Sequence, residues 1–179
     1  MIEIGHDKAD LKAVRESIGI TQIDLANEMH VTVRTIKRWE QIGWEEPPEE
    51  LWELLDDMVY DHERSVGDLV KRAEEEAERS DGADGGAQEP AADDAETSAA
   101  EGDAAEDAGA EGAVAEPKVI YLAYYKNQKH YDCFPHQRGT THSWGNAIAR
   151  RAADILRFKG YRVFFYYPDY PEGYQGGED

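Results

Sequence analysis

Residues 19–40 read GITQIDLANEMHVTVRTIKRWE, and their pattern predicts two short helices separated by a tight turn. Thr21 is placed to cap the first helix, and Asp24 three residues later approximates a capping-box partner, which is usually Glu or Gln. The second helix follows the pair His30–Val31, and Thr32 is placed to cap it. Two threonine caps around a short turn therefore define the local structure of this segment.

The helix predicted at residues 32–40 divides its side chains between two faces. Ile36 and Trp39 share the face that should point inward, since residues three and four apart lie together on a helix. The opposite face carries Val33, Arg34, Lys37 and Arg38. Three cations with no acid among them are unusual in so acidic a chain, although a solvated helix face has the same composition.

A further helix is predicted at residues 10–18, where Gly19 ends it. Its apolar face consists of Leu11, Val14 and Ile18. In the helix after Gly19, Leu25 and Met29 face inward together with Ala26. The small Ala26 side chain allows two helices to cross steeply at close distance.

These features together resemble the helix-turn-helix of the Xre/Cro-repressor type. The Thr-Gln, Leu-Ala, Val, Thr-Ile and Arg-Trp-Glu elements match at the family's spacing, closely over residues 19–40 and more loosely over about residues 8–60. The resemblance implies that the helix at 32–40 enters the major groove of DNA and presents its N-terminal residues to base edges. His30 departs from the family, which usually has Gly at this turn position. A positive φ is common there, and His tolerates that region better than most residues.

The resemblance also assigns roles by position. The set implied to contact DNA is Gln22, Thr32, Val33, Arg34, Thr35, Lys37 and Arg38. Within it, Val33, Arg34 and Arg38 would face bases, because Arg can bond O6 and N7 of guanine in a fork and Val can touch a thymine methyl group. Gln22 would contact phosphate from the start of the preceding helix, a role also open to Thr35 and Lys37.

The charge of the chain is unevenly distributed. Its 179 residues include 39 acidic and 19 basic side chains, and the net charge of −20 excludes a protein that coats nucleic acid through uniform positive charge. Residues 1–80 carry a net −11, residues 81–117 a net −12 with no Lys or Arg, and residues 118–179 a net +3. The acidity therefore does not exclude a local basic surface.

Residues 81–117 have the composition of a disordered acidic linker. They hold 13 Ala, 6 Gly and 12 acidic side chains, and their one β-branched aliphatic residue is Val114. Such a segment buries too little apolar surface to offset the entropy of ordering it. The predicted organisation is a helix-turn-helix DNA-binding domain with a helical extension at residues 1–80, this linker, and a small α+β module at residues 118–179.

Residues 44–80 form the predicted helical extension. Pro47–Pro48 and the acids around it suit a helix N-terminus, and Gly67 with a possible cap at Ser65 predicts a break near residue 65. An apolar stripe recurs at alternating spacings of four and three residues: Leu55, Val59, His62, Val66, Leu69 and Ala73. Such a stripe suits either a dimerising helix or packing onto the first three helices, and the sequence favours neither.

Residues 118–179 hold 14 of the chain's 18 aromatic residues and predict an α+β unit of β-β-α-β order. The predicted strands are 118–126, 128–134 and 161–167. The helix between the last two is capped by Ser143 and ended by Gly160. A core of about 55 residues is marginal by itself, so the module should pack on the first domain, on a second copy or on another protein.

The C-terminal module contains further candidate sites. One is a zinc site with the spacing H-x2-C-x2-H-x5-H, formed by His130, Cys133, His136 and His142. No familiar zinc pattern matches it, and no nucleophile signature supports catalysis by Cys133. The aromatic, mildly basic sheet is a third candidate, as a stacking surface for single-stranded nucleic acid. We expect ordinary loop and strand residues here, with no metal, no cofactor and no enzyme activity.

The sequence thus predicts a sequence-specific double-stranded DNA-binding transcriptional regulator, such as a phage, mobile-element or antitoxin-like repressor. We expect a homodimer, with a possible protein partner for residues 118–179. The alternative is a protein-interaction adaptor whose helical module binds a partner protein rather than DNA. The single cysteine favours a reducing compartment. The longest apolar stretch, residues 119–125, is too short for a membrane span of about 20 residues, so a cytoplasmic protein without membrane contact is expected.

Overall fold

A computed structural model of the protein describes residues 7–80, 117–134 and 140–171. These residues form six α-helices and two β-strands. In chain order the elements are α1 (Lys8–Ser17), α2 (Gln22–Glu28), α3 (Val33–Trp39), α4 (Glu49–Ser80), β1 (Val119–Ala123), α5 (Gln128–Tyr131), α6 (His142–Phe158) and β2 (Arg162–Tyr166). The predicted acidic linker, apart from Pro117, lies outside the described residues.

The first helices begin at the predicted caps. The Thr21 hydroxyl accepts a hydrogen bond from the Asp24 N–H, and the Asp24 carboxylate accepts from the Thr21 N–H, which completes a capping box. Thr32 caps α3 by accepting from the Thr35 N–H at 3.2 Å. His30 has a φ of 52°, the left-handed conformation that is common at this turn position.

A first hydrophobic core joins α1, α2 and α3 to the N-terminal turns of α4. Its buried members are Leu11, Ile18, Ile20, Leu25, Ala26, Ile36, Trp39, Leu51, Trp52 and Leu55. Burying a large apolar side chain contributes about 1.5–3 kcal/mol relative to leaving it exposed. The first turns of α4 are therefore an integral fourth helix of this bundle.

α4 is a single helix of 32 residues, which corrects the predicted break near residue 65. The Ser65 hydroxyl donates to the carbonyl oxygen of Asp61 one turn earlier, so it bonds within the helix instead of capping a new one. Gly67 is exposed, and a Cβ there would meet nothing within 4 Å. At 1.5 Å per residue the helix is about 48 Å long, which is long enough for its two halves to pack into two separate hydrophobic cores. Neither α4 nor any other helix in the described ranges is long and apolar enough to cross a membrane.

The apolar stripe of α4 packs inside the chain. Leu55 belongs to the first core. Further along, His62 lies edge-on against Trp144 of α6. Val66 and Ala73 belong to a second core, which α4 forms with the C-terminal module. The predicted packing onto the first three helices thus holds for the start of the stripe, whereas the rest packs on the C-terminal module, which the sequence pattern did not predict.

The second core lies between the C-terminal half of α4, α6 and the sheet. Its buried members are Val66, Val70, Ala73, Ala77, Ile120, Leu122, Ala152, Ala153, Leu156 and Val163. β1 and β2 pair in parallel, with Tyr121 opposite Phe164. Of the three packing partners expected for the C-terminal module, the structure shows the first domain, through α4.

The order of the C-terminal module is β-α-α-β, so the predicted β-β-α-β order is wrong at residues 128–134. The first four of these residues form α5, because the Asn127 side chain caps that helix. The side-chain oxygen of Asn127 accepts a hydrogen bond from the His130 N–H at 2.9 Å. His130 and its neighbour Tyr131 are both buried, whereas a strand would alternate their directions. A single helical turn places both side chains in the interior.

The start of α6 also differs from the prediction. Thr141, and not Ser143, is the N-cap, and its hydroxyl accepts from the Trp144 N–H at 3.2 Å. The two-residue shift places Ser143 inside the first turn of α6. Its carbonyl group there approaches the turn between α1 and α2.

His62 is buried at the junction of the two cores. Its ring is 2% exposed and lies edge-on to the Trp144 ring, with 5.2 Å between centroids. Neither ring nitrogen has a hydrogen-bond partner among the described residues, and the Glu63 carboxylate is 4.0 Å from Nδ1. Burial lowers the pKa of this ring; the Glu63 charge opposes that shift, and Arg151 and Arg150 on α6 add to it.

We expect the protein to lose stability as the pH falls below about 6.5, the pKa of a solvated histidine. The unfolded chain binds a proton there, while the lowered pKa keeps folded His62 neutral, so acid favours unfolding. The measurement is urea unfolding from about pH 8 to about pH 5 for the wild type and for His62→Leu, which removes this titration. The variant should lose less stability over that range.

The control is His30→Asn, which removes an exposed histidine and retains a residue that tolerates a positive φ. Its unfolding free energy should follow the wild-type dependence on pH. Identical pH dependence in the wild type and His62→Leu would contradict the burial of a neutral His62.

Candidate nucleic-acid interface

α3 is anchored on one side and exposed on the other. Ile36 and Trp39 are buried in the first core, as the two-faced pattern predicts, whereas Arg34 and Lys37 are exposed. Neither cation forms a hydrogen bond or ion pair within the part of the chain that the structure describes. Two unpaired cations on an anchored helix are available to the hydrogen-bond acceptors and anionic groups of a ligand.

Arg38 is positioned by an aromatic ring. Its guanidinium lies 4.7 Å from the ring centroid of Trp44, which follows α3 and is 48% exposed. Such a contact contributes about 0.5–1 kcal/mol at an exposed site and restricts the conformations of the Arg38 side chain. The pattern of α3 does not reveal Trp44 because it lies beyond the helix; the available signal is a tryptophan in an otherwise polar segment.

The first turn of α3 is more constrained than predicted. The hydroxyl oxygens of Thr32 and Thr35 are 3.0 Å apart. Val33 is half-buried and packs against the first core, which corrects its placement wholly on the open face with the cations. Side chains on a helix tilt toward its N-terminus, so this first helical residue leans over the preceding turn. The exposed part of Val33 remains available for a thymine methyl group.

Gln22 is held by a buried ion pair. Its side-chain amide donates to a Glu40 carboxylate oxygen at 2.8 Å. The other carboxylate oxygen accepts from Nε of Arg15 at 2.6 Å, and Nη1 of Arg15 donates to the Ile20 carbonyl oxygen at 2.9 Å. This network joins α1, the start of α2 and the end of α3. It therefore fixes Gln22 relative to the open face of α3.

The ion pair of Arg15 and Glu40 was not predicted, although Glu40 ends the Arg-Trp-Glu element of the motif. The available signal was the position of Arg15 on the apolar face of α1, four residues after Leu11 and three before Ile18. A charge at such a position indicates a buried partner. The partner is 25 residues away in sequence and becomes evident only in the folded chain.

A cleft of about 800 Å³ opens beside this network. Its lining includes Gln22, Lys37 and Glu40 of the first domain and Ser143 of α6. α6 thus reaches the surface on which two of the predicted phosphate contacts, Gln22 and Lys37, lie.

The described residues of the candidate zinc set have other partners. His130 forms hydrogen bonds through both ring nitrogens, to the backbone of Lys126 and of a residue after β2. The Cys133 thiol donates to a backbone carbonyl oxygen, and His142 lies beside a side-chain amide. His136 lies outside the described residues. Among those described, no three His, Cys, Asp or Glu side chains are grouped to hold a metal ion.

The comparison with protein families gives a match to this region. The helix-turn-helix model matches residues 11–41, which span α2, α3 and most of α1. No curated protein and no solved structure matches the chain. The chain thus carries, at residues 11–41, a helix-turn-helix of the Xre/Cro type, the element with which DNA-binding transcription regulators of that type contact DNA.

Proposed function

We propose that the protein is a sequence-specific transcriptional regulator that reads the major groove of double-stranded DNA with α3. The observation that carries this proposal is the open face of α3, where Arg34 and Lys37 are exposed and unpaired among the described residues while the opposite face is buried. Arg34 lies in the first turn, where recognition helices contact base edges. Arg38, whose guanidinium lies against the Trp44 ring, is a second arginine that can donate two hydrogen bonds to O6 and N7 of guanine.

The charge distribution supports base contacts over nonspecific attraction. Residues 44–80 carry a net −10, whereas residues 1–43 carry only −1. Within residues 1–80, attraction to phosphate is therefore confined to the neighbourhood of α3, and specific contacts must supply most of the affinity for duplex DNA. Two copies bound to paired half-sites would double those contacts. We therefore propose a homodimer; that it acts as a repressor of the phage, mobile-element or antitoxin-like class is a proposal that rests on the family resemblance alone.

Replacing Arg34 by Ala should weaken binding to the preferred duplex by about 1–3 kcal/mol, or roughly 5- to 150-fold, and relax the preference at one base pair. Arg38→Ala should do the same at another position. The preferred duplex comes from selection among random duplexes with the full chain. Affinities are then measured by fluorescence anisotropy at one fixed salt concentration, since salt changes every phosphate contact.

Lys71→Ala is the matched control, because it removes an exposed cation from α4 far from α3. It changes the net charge equally and should leave the affinity within about twofold. If selection enriches no sequence, the proposed function is wrong.

A protein-interaction adaptor is the second candidate. The observation that favours a protein partner lies in the C-terminal module and not in the helical module to which the sequence prediction assigns the partner: aromatic side chains are exposed at β2 and just beyond it, namely Phe164, Phe165, Tyr166 and Tyr167. An adaptor would retain its protein partner in a pull-down with the Arg34→Ala and Arg38→Ala variants. The proposed regulator would lose its preferred duplex in the same variants.

A further inference from the structure

A cavity of about 320 Å³ lies at the carboxyl ends of the parallel strands β1 and β2. Its lining consists of Tyr124, Arg150, Phe165, Tyr166 and Tyr167. Open parallel sheets characteristically bind ligands outside the carboxyl ends of their strands. Small-molecule sites occupy roughly 300–1,000 Å³, so this cavity is large enough for a small planar group.

The walls of the cavity are aromatic rings inclined to one another. The ring centroid of Tyr124 lies 5.5 Å from that of Phe165 and 6.5 Å from that of Tyr167, and the ring planes meet at 62° and 64°. Phe165 and Tyr167 are 38% and 55% exposed, so their rings are accessible. Exposed rings at the mouth of a cavity offer stacking surfaces to a planar ligand.

One cation lines the cavity and a second lies against one of its rings. Nη1 of Arg150, on α6, donates to the Tyr124 hydroxyl at 2.8 Å, which holds the guanidinium at the rim. Nζ of Lys126 lies 4.9 Å from the Tyr167 ring centroid. The lining residues include no carboxylate. Positive charge with no counter-charge among the described lining residues disfavours a cationic ligand, which aromatic sites otherwise bind, and favours an anionic one.

A ligand that is both planar and anionic fits this combination. A nucleotide has a base that stacks on aromatic rings and a phosphate that pairs with Arg or Lys. An acidic peptide would use the cations and leave the aromatic walls uncovered. A duplex keeps its bases stacked on one another, so only a single strand offers them.

The sheet extends the same chemistry beyond the cavity. On its open face the Tyr121 and Phe164 rings stack at 5.7 Å, and the guanidinium of Arg162 lies 5.7 Å from the Phe164 ring. Both rings are about half exposed. Because Phe164 and Phe165 are successive residues of β2, this platform faces away from the Phe165 wall of the cavity, while Tyr166, which also lines the cavity, shares the face of Phe164. A chain of nucleotides, unlike a single nucleotide, is long enough to pass over the end of the strands and contact both surfaces.

We propose that the cavity lined by Tyr124, Arg150 and Tyr167 binds nucleotide units of single-stranded nucleic acid. The base stacks on the rings and the phosphate pairs with Arg150. This surface is independent of α3, so the proposal does not rest on the proposed reading of duplex DNA.

The experiment measures binding of a labelled twelve-residue oligothymidylate to the full chain by fluorescence anisotropy. Arg150→Gln should weaken binding at least about fivefold and reduce its dependence on salt. Tyr167→Ala should weaken it by roughly 5- to 150-fold, whereas Tyr167→Phe, which keeps the ring, should stay within about twofold of the wild type. Thermal unfolding of each variant verifies that the exposed substitutions leave the fold intact.

Two controls separate this site from others. Arg151→Gln removes the neighbouring cation of α6, which lies 3.8 Å from Glu63, and should leave oligothymidylate binding unchanged. Arg34→Ala should also leave it unchanged, because α3 is not involved. Oligothymidylate binding that is lost with Arg34→Ala and retained with Arg150→Gln would overturn the proposal while leaving the reading of duplex DNA intact.

Competitors identify the source of the nucleotide. Thymidine monophosphate should displace the oligonucleotide only at a much higher nucleotide concentration. Equal displacement would assign the cavity to free nucleotides and overturn the choice of a single strand. Binding of polyglutamate, with the same dependence on Arg150 and no binding of oligothymidylate, would overturn the proposal in favour of an acidic protein partner.

Discussion

The variant Glu40→Ala is expected to lower the free energy of unfolding by about 3–5 kcal/mol. Arg15 and Glu40 have side chains only 8% and 5% exposed, so loss of the carboxylate leaves a buried guanidinium without its counter-charge. Glu16 lies 3.4 Å from Arg15, but its side chain is 55% exposed and compensates poorly. Equilibrium unfolding in urea measures the change.

A double variant shows whether Glu40→Ala destabilises the protein because Arg15 is left buried without a counter-charge or because the attraction between Arg15 and Glu40 is lost. Arg15→Met combined with Glu40→Leu should recover most of the loss, because apolar side chains of similar size often replace a buried pair at little cost. The exposed pair Lys71 and Glu75 on α4 is the control, and Glu75→Ala should cost less than about 1 kcal/mol. A comparably small loss for Glu40→Ala would contradict burial of the Arg15 charge.

The double variant also separates stability from DNA binding. It lacks the carboxylate that accepts from the Gln22 amide, while α1, α2 and α3 remain packed. If the network positions Gln22 for a phosphate contact, this folded variant binds the selected duplex more weakly than the wild type. Affinity equal to the wild type would restrict the network to a structural role.

The features that could be predicted from sequence are local ones. The capping box of Thr21 and Asp24 involves residues three apart, and the left-handed φ of His30 agrees with the family resemblance, which implies a positive φ at this turn position. The two faces of α3 likewise follow from helical periodicity. Position within the motif identified Arg34 and Lys37 as candidates, and the structure leaves both exposed; their contacts with DNA remain predictions.

The features that could not be predicted depend on distant residues. Ser65 and Gly67 resemble a helix break, but packing of Val66 into the second core keeps α4 continuous. Tertiary packing outweighs such weak local preferences. Residues 128–134 are predicted to pair with the first strand; the Asn127 cap is a local signal for a helical turn, and burial of two neighbouring rings, His130 and Tyr131, stabilises that turn. Sequence periodicity carries no information about such burial.

Gly19→Ala is expected to destabilise the protein by about 2–5 kcal/mol through two separate causes. Gly19 has a φ of 75°, a conformation that costs other residues about 1–2 kcal/mol. Its added Cβ would also overlap the Ser143 carbonyl oxygen and lie 2.8 Å from Cβ of Ala147 on α6. Forcing packed backbone apart typically costs about 1–3 kcal/mol more. Urea unfolding measures the sum.

Gly43→Ala provides the matched control, because Gly43 has a φ of 88° and a Cβ there would meet nothing within 4 Å. Gly43→Ala should lower the free energy of unfolding only by the strain of a positive φ. The difference in unfolding free energy between the two variants therefore measures the effect of the contact with α6. Equal losses would mean that α6 does not touch the α1–α2 turn in solution. A larger loss for Gly19→Ala would establish that contact just before Gln22, where a displacement of α6 would also change the cleft that Gln22 shares with Ser143.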